Sequence, residues 1–395
     1  MDPLTSLLNL PPSRKLERGL LYTPEEIRQQ PGTWTRTLHE LEARGAEIRE
    51  FLQAAGLRRS AEQRPLVFLV GAGTSDYIGQ SLHLLLRTRW ECEVTAVPST
   101  SLLTDFAEYA RPGRPRLWIS FSRSGDSPEG VAVLERALEE QPEIFHLLVT
   151  CNGSGQMSRA IAGRARCLAL VLEERTNDRG LAMTSSFTNM VVTGQYLAHA
   201  WDAGEYEPIV RGLAESAEEL LPGAAELAEE MAGEEFGRAC FVGSGALAGA
   251  AMESALKALE LTAGRVFAVA QTTLGLRHGP MAALDGSTLL VSLVATEPRR
   301  RHYDVNLLRE IGSKRLVRTR LAVAADGRLP GEAADRVLAP RRGAAIPDLC
   351  RPPLDVLFGQ LFGLFASIRC GLKPDDPSPT GAISRVVPAI EHSRG

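Results

Sequence analysis

The stretch FLVGAGTSDYIG, residues 68–79, begins as an apolar run, turns at a Gly-x-Gly sequence and continues as a helix-like segment. A second stretch, CFVGSGALAGAA at residues 240–251, has the same three parts in the same order. A strand, a glycine turn and a helix in succession are the beginning of a βαβ unit. The two stretches therefore predict that one α/β domain occurs twice in this chain of 395 residues.

Apolar runs alternate with helix-like segments around both stretches. Near-continuous apolar runs are typical of parallel strands that are covered on both faces. The predicted strands are 67–70, 94–97, 117–121, 147–150, 167–172, 240–242, 266–269, 289–294 and 321–324. The predicted helices include 76–87, 128–139, 157–162, 184–200, 206–230 and 354–370. This pattern predicts an α/β fold with two tandem, doubly wound parallel sheets.

The chain divides into four predicted parts. They are a helical N-terminal segment (1–50), a first α/β domain (51–203), a second α/β domain (204–372) and a C-terminal tail (373–395). Within the first part, Thr23-Pro24-Glu25-Glu26 has the pattern of a helix capping box. The tail is rich in proline, glycine and serine, so we expect a loop or flap on the surface.

The composition argues against several classes of partner. The net charge is −4, with 44 basic and 48 acidic residues, which gives no reason to expect nucleic acid or a membrane as partner. The six cysteines lie far apart and form no Cys/His cluster, so we expect buried thiols in a reducing compartment and no metal. We found no signal sequence and no membrane span. We therefore expect a cytoplasmic protein.

Two loops are candidates for binding an anion. GAGTS (residues 71–75) leaves a strand and enters a helix, but Asp76 replaces the third glycine of a dinucleotide motif and a Walker lysine is absent. The loop of SFSRSGDSPEG (residues 120–130) supplies the hydroxyls of Ser122, Ser124 and Ser127 just before a helix. Each loop alone could be an ordinary helix start. Together, at the carboxyl ends of parallel strands, they predict a site for a phosphate monoester.

A helix predicted at residues 245–261 carries three charges in one stripe. Glu253, Lys257 and Glu260 have i, i+4, i+7 spacing, and the rest of the helix is small or apolar. A solvated stripe with an ion pair is one interpretation. The high alanine and glycine content favours another, in which the helix is buried and the stripe lines a cleft. A desolvated carboxylate beside a lysine could then transfer protons.

The stretch RHGPMAALD, residues 277–285, contains one of only seven histidines. A single histidine beside a Gly-Pro turn is usually a packed structural residue. Because His278 follows the charged stripe and both anion loops, it is also a candidate acid/base that could share proton transfer with Glu260.

These motifs resemble the SIS (sugar isomerase) domain family. GAGTS and SRSGDSPE are similar to its phosphate loops, and ALKALELTAG with RHGPMAALD is similar to the catalytic segment of its isomerases. Four further stretches resemble the AgaS-type group of galactosamine-6-phosphate deaminases and tagatose-6-phosphate ketose/aldose isomerases. They are YTPEEIRQQPGTW (22–34), ERTNDRGLAMTSSFTNM (174–190), RHGPM and GLKPDDPSPTGAISRVV (371–387). The resemblance implies two tandem flavodoxin-like SIS domains.

The resemblance also implies roles for individual residues. Glu260 would be the base that moves a proton between C1 and C2, Lys257 would orient the sugar or that carboxylate, and His278 would open the pyranose ring. The phosphate would be held by Gly73, Thr74, Ser75, Ser122, Arg123, Ser124 and Ser127. The resemblance implies no cofactor and no metal. It implies a homodimer or larger homo-oligomer, in which His278 would serve either the site of its own chain or that of the neighbouring chain. The lid lysine of the family's synthases has no match in residues 381–385, and Arg385 is only a candidate substitute for it.

Three functional hypotheses follow from the resemblance. The first is an enzyme that converts galactosamine 6-phosphate to tagatose 6-phosphate and ammonia. The second is a ketose/aldose isomerase of a hexose 6-phosphate without nitrogen, which would need the same proton transfer. The third is a noncatalytic SIS protein that senses a sugar phosphate. The sequence leaves open the sugar, the choice between deaminase and isomerase, and the number of subunits.

Overall fold

The computed structural model describes residues 1–111, 113–340 and 346–388, so the last seven residues of the predicted tail lie outside it. The described residues form two parallel sheets of five strands each. The first contains β1 (Leu66–Gly71), β2 (Val94–Pro98), β3 (Arg116–Ser122), β4 (Phe145–Thr150) and β5 (Cys167–Val171). The second contains β6 (Arg238–Gly243), β7 (Phe267–Thr272), β8 (Thr288–Val294), β9 (Thr319–Ala324) and β10 (Arg336–Leu338).

The two sheets have the same topology. Their strand orders are β2-β1-β3-β4-β5 and β7-β6-β8-β9-β10, which in both cases is the flavodoxin-like order 2-1-3-4-5. The first and third strands of each sheet match without insertion, because an offset of 172 residues relates Gly71 to Gly243 and Ser122 to Val294 at the strand ends. The predicted α/β fold with two tandem doubly wound sheets is confirmed. The prediction missed only the short edge strand β10.

Helices cover both faces of each sheet. They are α1 (Pro3–Leu8), α2 (Pro12–Arg18), α3 (Thr23–Arg28), α4 (Gln30–Ala43), α5 (Gly45–Ala54), α6 (Thr74–Trp90), α7 (Ser99–Thr104), α8 (Phe106–Tyr109), α9 (Pro128–Glu140), α10 (Gln156–Ile161), α11 (Ser185–Ala198), α12 (Ala203–Gly233), α13 (Ala246–Leu261), α14 (Pro298–Lys314), α15 (Pro352–Asp355) and α16 (Leu357–Arg369). The predicted final helix, 354–370, is two helices in the structure.

The capping box predicted at Thr23–Glu26 is wrong. The backbone N–H and hydroxyl of Thr23 both donate to the carboxylate of Asp375 in the tail, at 2.8 and 2.9 Å. Glu26 turns the other way and accepts the backbone N–H groups of Arg179 and Gly180. A carboxylate from the far end of the chain thus takes the place of the local cap, and it attaches the tail to the N-terminal helices.

The six cysteines are free thiols. Cys151, Cys240 and Cys350 are buried as predicted, but the other three are partly exposed. The expectation that all six are buried is therefore wrong for half of them.

One hydrophobic core fills the space between the sheets. Alternate residues of β1, such as Val67 and Leu69, join a buried cluster with Phe241 and Val291 of the second sheet. The N-terminal segment belongs to the same cluster, because Trp34 and Ile48 are buried in it. The two α/β halves are therefore packed on one another through a shared helical layer.

The helices α6 and α13 cross this layer side by side and in opposite directions. Gly249 of α13 lies against Ser81 of α6, while Lys257, farther along α13, contacts Thr74 at the start of α6. A Cβ atom on Gly249 would collide with the backbone and hydroxyl of Ser81. Glycine at this position therefore sets the distance between the two halves.

We predict that Gly249→Ala lowers the free energy of unfolding by roughly 1–3 kcal/mol, because the added methyl group forces the packed backbones of α6 and α13 apart. Chemical denaturation would measure the change. The matched control is Gly223→Ala in α12, where a Cβ would meet nothing within 4 Å. That control should be neutral or stabilising by up to about 1 kcal/mol, because alanine is the better helix former. Equal effects for both variants would contradict this account of the helix contact.

Candidate active site

The two predicted phosphate loops meet at the carboxyl ends of β1 and β3, where the strand order of the first sheet reverses. Ligands of doubly wound folds bind at such switch points. A cavity of about 50 Å³ lies there, which is far smaller than the roughly 300–1,000 Å³ of typical ligand pockets. Its lining includes five serines: Ser75, Ser99, Ser120, Ser122 and Ser127. The cavity therefore suits one small polar group, and a larger ligand would have to extend out of it.

Glycines shape the first of these loops. Gly73 has φ 55° and ψ −125°, a conformation that residues with a side chain rarely adopt. A Cβ atom on Gly71 would collide with the backbone of Ser75. The turn is therefore tight enough to place Ser75 at the cavity, directly after β1.

The serines of the second loop organise its backbone. The Ser122 hydroxyl accepts the N–H of Gly125 at 3.1 Å, and the Ser124 hydroxyl accepts the N–H of Asp126 at 3.2 Å. Ser127 directly precedes α9 and donates to the Glu129 carboxylate at 3.2 Å. The structure therefore places Ser75, Ser122 and Ser127 at one cavity, while Ser124 supports the loop from outside its lining.

Thr74 points toward the second half of the chain. Its hydroxyl lies 3.1 Å from the Lys257 ammonium and 3.2 Å from a Glu253 carboxylate oxygen. Thr74 and Ser75 are adjacent in the chain. Ser75 lines the cavity, and Thr74 contacts the charged stripe. The loop thereby connects the predicted phosphate site to the predicted catalytic helix.

Arg123 is turned away from the cavity. Its guanidinium donates to the backbone carbonyls of Gly180, Leu181 and Arg385, at 3.4, 3.2 and 2.7 Å. Burial lowers the pKa of this guanidinium, although Asp178 counteracts that effect. In this arrangement Arg123 ties the second loop to the tail.

The charged stripe on α13 is buried. The Lys257 ammonium lies 2.6 Å from Glu260 Oε2 and 3.2 Å from Glu253 Oε1. The side chains of Lys257 and Glu253 are at most 1% exposed, whereas that of Glu260 is 24% exposed. The interpretation as a solvated surface stripe is therefore wrong. Glu260 is the one carboxylate of the stripe that a ligand could reach.

Burial changes the proton equilibria of the two enclosed groups. Desolvation raises the pKa of Glu253 to about 8, against the opposing effect of Lys257. Burial alone would lower the pKa of Lys257, but Glu253 and Glu260 outweigh it and raise that pKa. At neutral pH the cluster therefore holds a protonated Lys257 and a largely protonated Glu253, which removes one of two negative charges around the lysine.

Sequence reasoning missed three residues of this region. Ser99 and Ser120 line the cavity; the position of Ser99, directly after β2, is a signal that could have identified it. Tyr77 follows Thr74 by three residues on α6 and therefore lies on the same face of the helix. Burial raises the pKa of the Tyr77 phenol, and the nearby carboxylates of Glu253, Asp76 and Glu260 raise it further.

His278 lies apart from this cluster on the surface. It follows β7, between two short 3₁₀ turns, and its side chain is exposed. Within the described residues it has no side-chain hydrogen bond or ion pair, and the structure does not bring it into contact with Lys257 or Glu260. The interpretation as a packed core residue is therefore wrong.

The tail passes over the first half of the chain, in agreement with the predicted surface loop. The Arg385 guanidinium donates to Asn177 Oδ1 and to the Asp178 carbonyl, both at 2.7 Å. Arg385 is thus bound to the loop before α11, next to the backbone that Arg123 contacts.

Neither a metal-binding cluster nor a membrane-spanning helix is visible in the described ranges. No group of three or more His, Cys, Asp or Glu side chains is placed to hold a metal ion. No helix in the same part of the chain has both the length and the apolar character needed to cross a bilayer.

Two flavodoxin-like sheets, a serine-lined cavity at the first switch point and a Glu–Lys–Glu stripe bonded to the same loop define an SIS-type protein of sugar-phosphate chemistry. Comparisons with known proteins agree. The chain is 36% identical over 381 residues to the D-galactosamine-6-phosphate deaminase AgaS of Escherichia coli, covering 93% of this chain and 94% of that protein. It is 32% identical to the AgaS of a Shewanella species, covering 94% and 92%. The chain belongs to the AgaS family of enzymes.

Solved structures show the same fold. The tagatose-6-phosphate ketose/aldose isomerase of Escherichia coli superposes with a TM-score of 0.83 at 35% identity, covering 90% of this chain and 94% of that one. The C-terminal domain of glucosamine-fructose-6-phosphate aminotransferase from Francisella tularensis has a TM-score of 0.73 at 18% identity, covering 89% and 96%, and shares the fold. A search of protein-family models found no match.

We predict that Glu253→Gln makes the protein more stable relative to the wild type as the pH rises. The folded pKa of Glu253 lies above its unfolded value of 4.5, so the folded protein retains a proton that the unfolded chain has lost, and wild-type stability falls with increasing pH. Glutamine has no such proton to lose. The stability difference should grow by up to about 1.4 kcal/mol per pH unit between about pH 5 and pH 8.

Urea unfolding at several pH values would measure this difference. Glu229→Gln on the exposed side of α12 is the matched control and should show a constant difference from the wild type. A pH-independent gap for Glu253→Gln would mean that the buried Glu253 is ionised throughout this range.

Proposed function

We propose that this protein converts galactosamine 6-phosphate and water to tagatose 6-phosphate and ammonia. The observation that carries the proposal is the hydrogen-bonded chain Glu260–Lys257–Thr74, which ends beside the serine-lined cavity. It supplies a reachable carboxylate for proton transfer close to a site for a phosphate group. Membership in the AgaS family supports the choice of substrate.

The phosphate enters the cavity of the first half, and the hydroxyls of Ser75, Ser122 and Ser127 donate to its oxygens. The loop N–H groups and the start of α9 add positive partial charge. Because the cavity is small, the sugar extends from it past Thr74 toward the stripe on α13. Gly73, Thr74, Arg123 and Ser124 act on the phosphate indirectly, by shaping and bracing the two loops.

Glu260 is the base. In the open-chain sugar it removes the proton from C2, which gives an enolamine with a double bond between C1 and C2. Returning that proton to C1 gives an imine at C2. Water adds to this imine carbon, and ammonia leaves as the C2 carbonyl of tagatose 6-phosphate forms. Lys257 holds the Glu260 carboxylate in place and, as a cation, stabilises negative charge that develops on the sugar oxygen.

His278 is the acid/base that opens the pyranose ring. Because it is exposed and has no side-chain partner in the described part of its own chain, a site in a neighbouring copy is open to it. We therefore propose a homodimer or larger homo-oligomer. A phosphorylated substrate and free thiols fit a cytoplasmic enzyme.

The second candidate is a ketose/aldose isomerase of a hexose 6-phosphate without nitrogen. The structural similarity to a protein named tagatose-6-phosphate ketose/aldose isomerase favours it. Both reactions use the same C1–C2 proton transfer. An assay with a panel of amino-sugar and hexose 6-phosphates would therefore distinguish them. Ammonia released from galactosamine 6-phosphate supports the deaminase, and interconversion of tagatose and galactose 6-phosphates without ammonia release from any amino sugar supports the isomerase. Ligand-induced thermal stabilisation with no turnover would favour a sensor and contradict both.

We predict that Glu260→Gln lowers kcat for ammonia release by roughly 100-fold to 10,000-fold, because the amide cannot accept the C2 proton. Coupled measurement of ammonia gives the rate, and calorimetry should show that galactosamine 6-phosphate still binds. Glu229→Gln on α12 should retain full activity. Ammonia release by Glu260→Gln at the wild-type rate would refute this role.

We predict that the double variant Ser75→Ala/Ser122→Ala raises KM for galactosamine 6-phosphate by roughly 10-fold or more, because two hydroxyl donors to a charged phosphate are lost. The effect on kcat should be smaller, since neither hydroxyl contacts the reacting carbons. Ser313→Ala on the exposed face of α14 is the control. An unchanged KM in the double variant would place the phosphate elsewhere.

A further inference from the structure

The second sheet has a switch point at the same place in its topology as the first, but different side chains surround it. Gly245 has φ 63° and ψ −131°, nearly the conformation of Gly73, so the glycine turn is preserved. At the offset of 172 residues, Thr74, Ser75 and Ser122 of the first half correspond to Ala246, Leu247 and Val294. The three hydroxyls have no counterparts.

A carboxylate of the chain itself lies at this second switch point. Asp348 accepts the N–H of Thr296 at 2.8 Å, the Thr296 hydroxyl at 2.6 Å and the N–H of Glu297 at 3.0 Å. Two guanidinium groups complete its surroundings: Arg351 at 3.1 Å, fully buried, and Arg300 at 3.4 Å. Backbone N–H groups, a hydroxyl and arginines after a parallel strand are the donors that an oxyanion site requires.

The remaining donors of this region are also used by carboxylates. Glu297 precedes α14 as Ser127 precedes α9, and it accepts the N–H groups of Arg299 and Arg300. Asp304 accepts the hydroxyls of Ser244 and Thr273, at 2.9 and 2.6 Å, and the N–H of Ala295 at 2.9 Å. The donors around the second switch point thus already serve internal anions.

We propose that the second α/β half retains an anion site that the chain fills with its own carboxylates, with Asp348 as the main occupant. The chain therefore binds one phosphorylated ligand, at the first sheet. The number of ligands rests on the proposed function, whereas the role of Asp348 does not. Asp348 also fixes the start of the segment that leads into α15 and α16, because its carboxylate fastens that segment to the end of β8.

The test is chemical rescue of Asp348→Ala. Removing the carboxylate leaves Arg351, Arg300 and three N–H or O–H donors around an emptied site, so Tm should fall by roughly 5–10 °C. Formate has the size and charge of the missing group and should restore at least half of that loss. Sodium chloride at equal ionic strength and the neutral analogue formamide should restore much less.

Two controls isolate the effect. Asp335→Ala removes a partly exposed carboxylate that pairs with Arg320, and its Tm should not respond selectively to formate. The wild type should not respond either, because its site is filled. No selective formate response in Asp348→Ala, or the same response in all three proteins, would overturn the proposal.

A second variant, Asp348→Asn, tests the proposal if Asp348→Ala does not fold. Asp348→Asn keeps the shape of the side chain but removes its charge, so it should fold with a lower Tm than the wild type. Formate should not restore it, because the amide occupies the site. A Tm equal to that of the wild type would overturn the role of the Asp348 charge.

The number of ligands is tested separately by titrating Glu260→Gln with galactosamine 6-phosphate in a calorimeter. One molecule per chain is expected. Two per chain would overturn the inference that the second site is filled. No binding would instead contradict the proposed function, and the formate result for Asp348→Ala would stand independently.

Discussion

The burial of one ammonium group, that of Lys257, is the constraint on which the candidate site depends. A buried cation is costly unless charge and hydrogen bonds compensate it. Lys257 obtains a negative charge from Glu260 and polar contacts from Glu253 and Thr74. Thr74 comes from the first α/β half and the other groups from the second. The electrostatic requirement of one side chain therefore fixes how the loop after β1 meets α13.

The sequence predicted the parts of this arrangement that depend on local pattern. Apolar runs located nine of the ten described strands, and the i, i+4, i+7 spacing placed Glu253, Lys257 and Glu260 on one face of α13. Local pattern did not predict where a partner from a distant part of the chain replaces the local hydrogen-bond partner. Thr23 has the pattern of a local cap but is bound by Asp375, and Arg123 lies in a phosphate-type loop but is directed to the carbonyls of Gly180 and Leu181. In both cases a partner from a distant part of the chain prevails over the local motif.

The two halves of the chain show how one backbone can serve two purposes. Both have the strand order 2-1-3-4-5 and a left-handed glycine after the first strand. The first half places serine hydroxyls at its switch point. The second half places carboxylates there and contributes α13, which carries the stripe of Glu253, Lys257 and Glu260. In the proposed function, the first half therefore binds the phosphate and the second half transfers the proton, and the two halves meet at the contact between α6 and α13.

The shared core between the sheets has a consequence for how a ligand is received. Opening the two halves like a hinge would expose the buried cluster that contains Val67, Phe241 and Trp34, and would separate Gly249 from Ser81. The free energy needed for such an opening would far exceed the free energy that binding a small ligand provides. The spacing between Thr74 and Lys257 is therefore set during folding. The protein therefore holds these two groups 3.1 Å apart before any ligand binds, so binding needs no free energy to bring the two halves together.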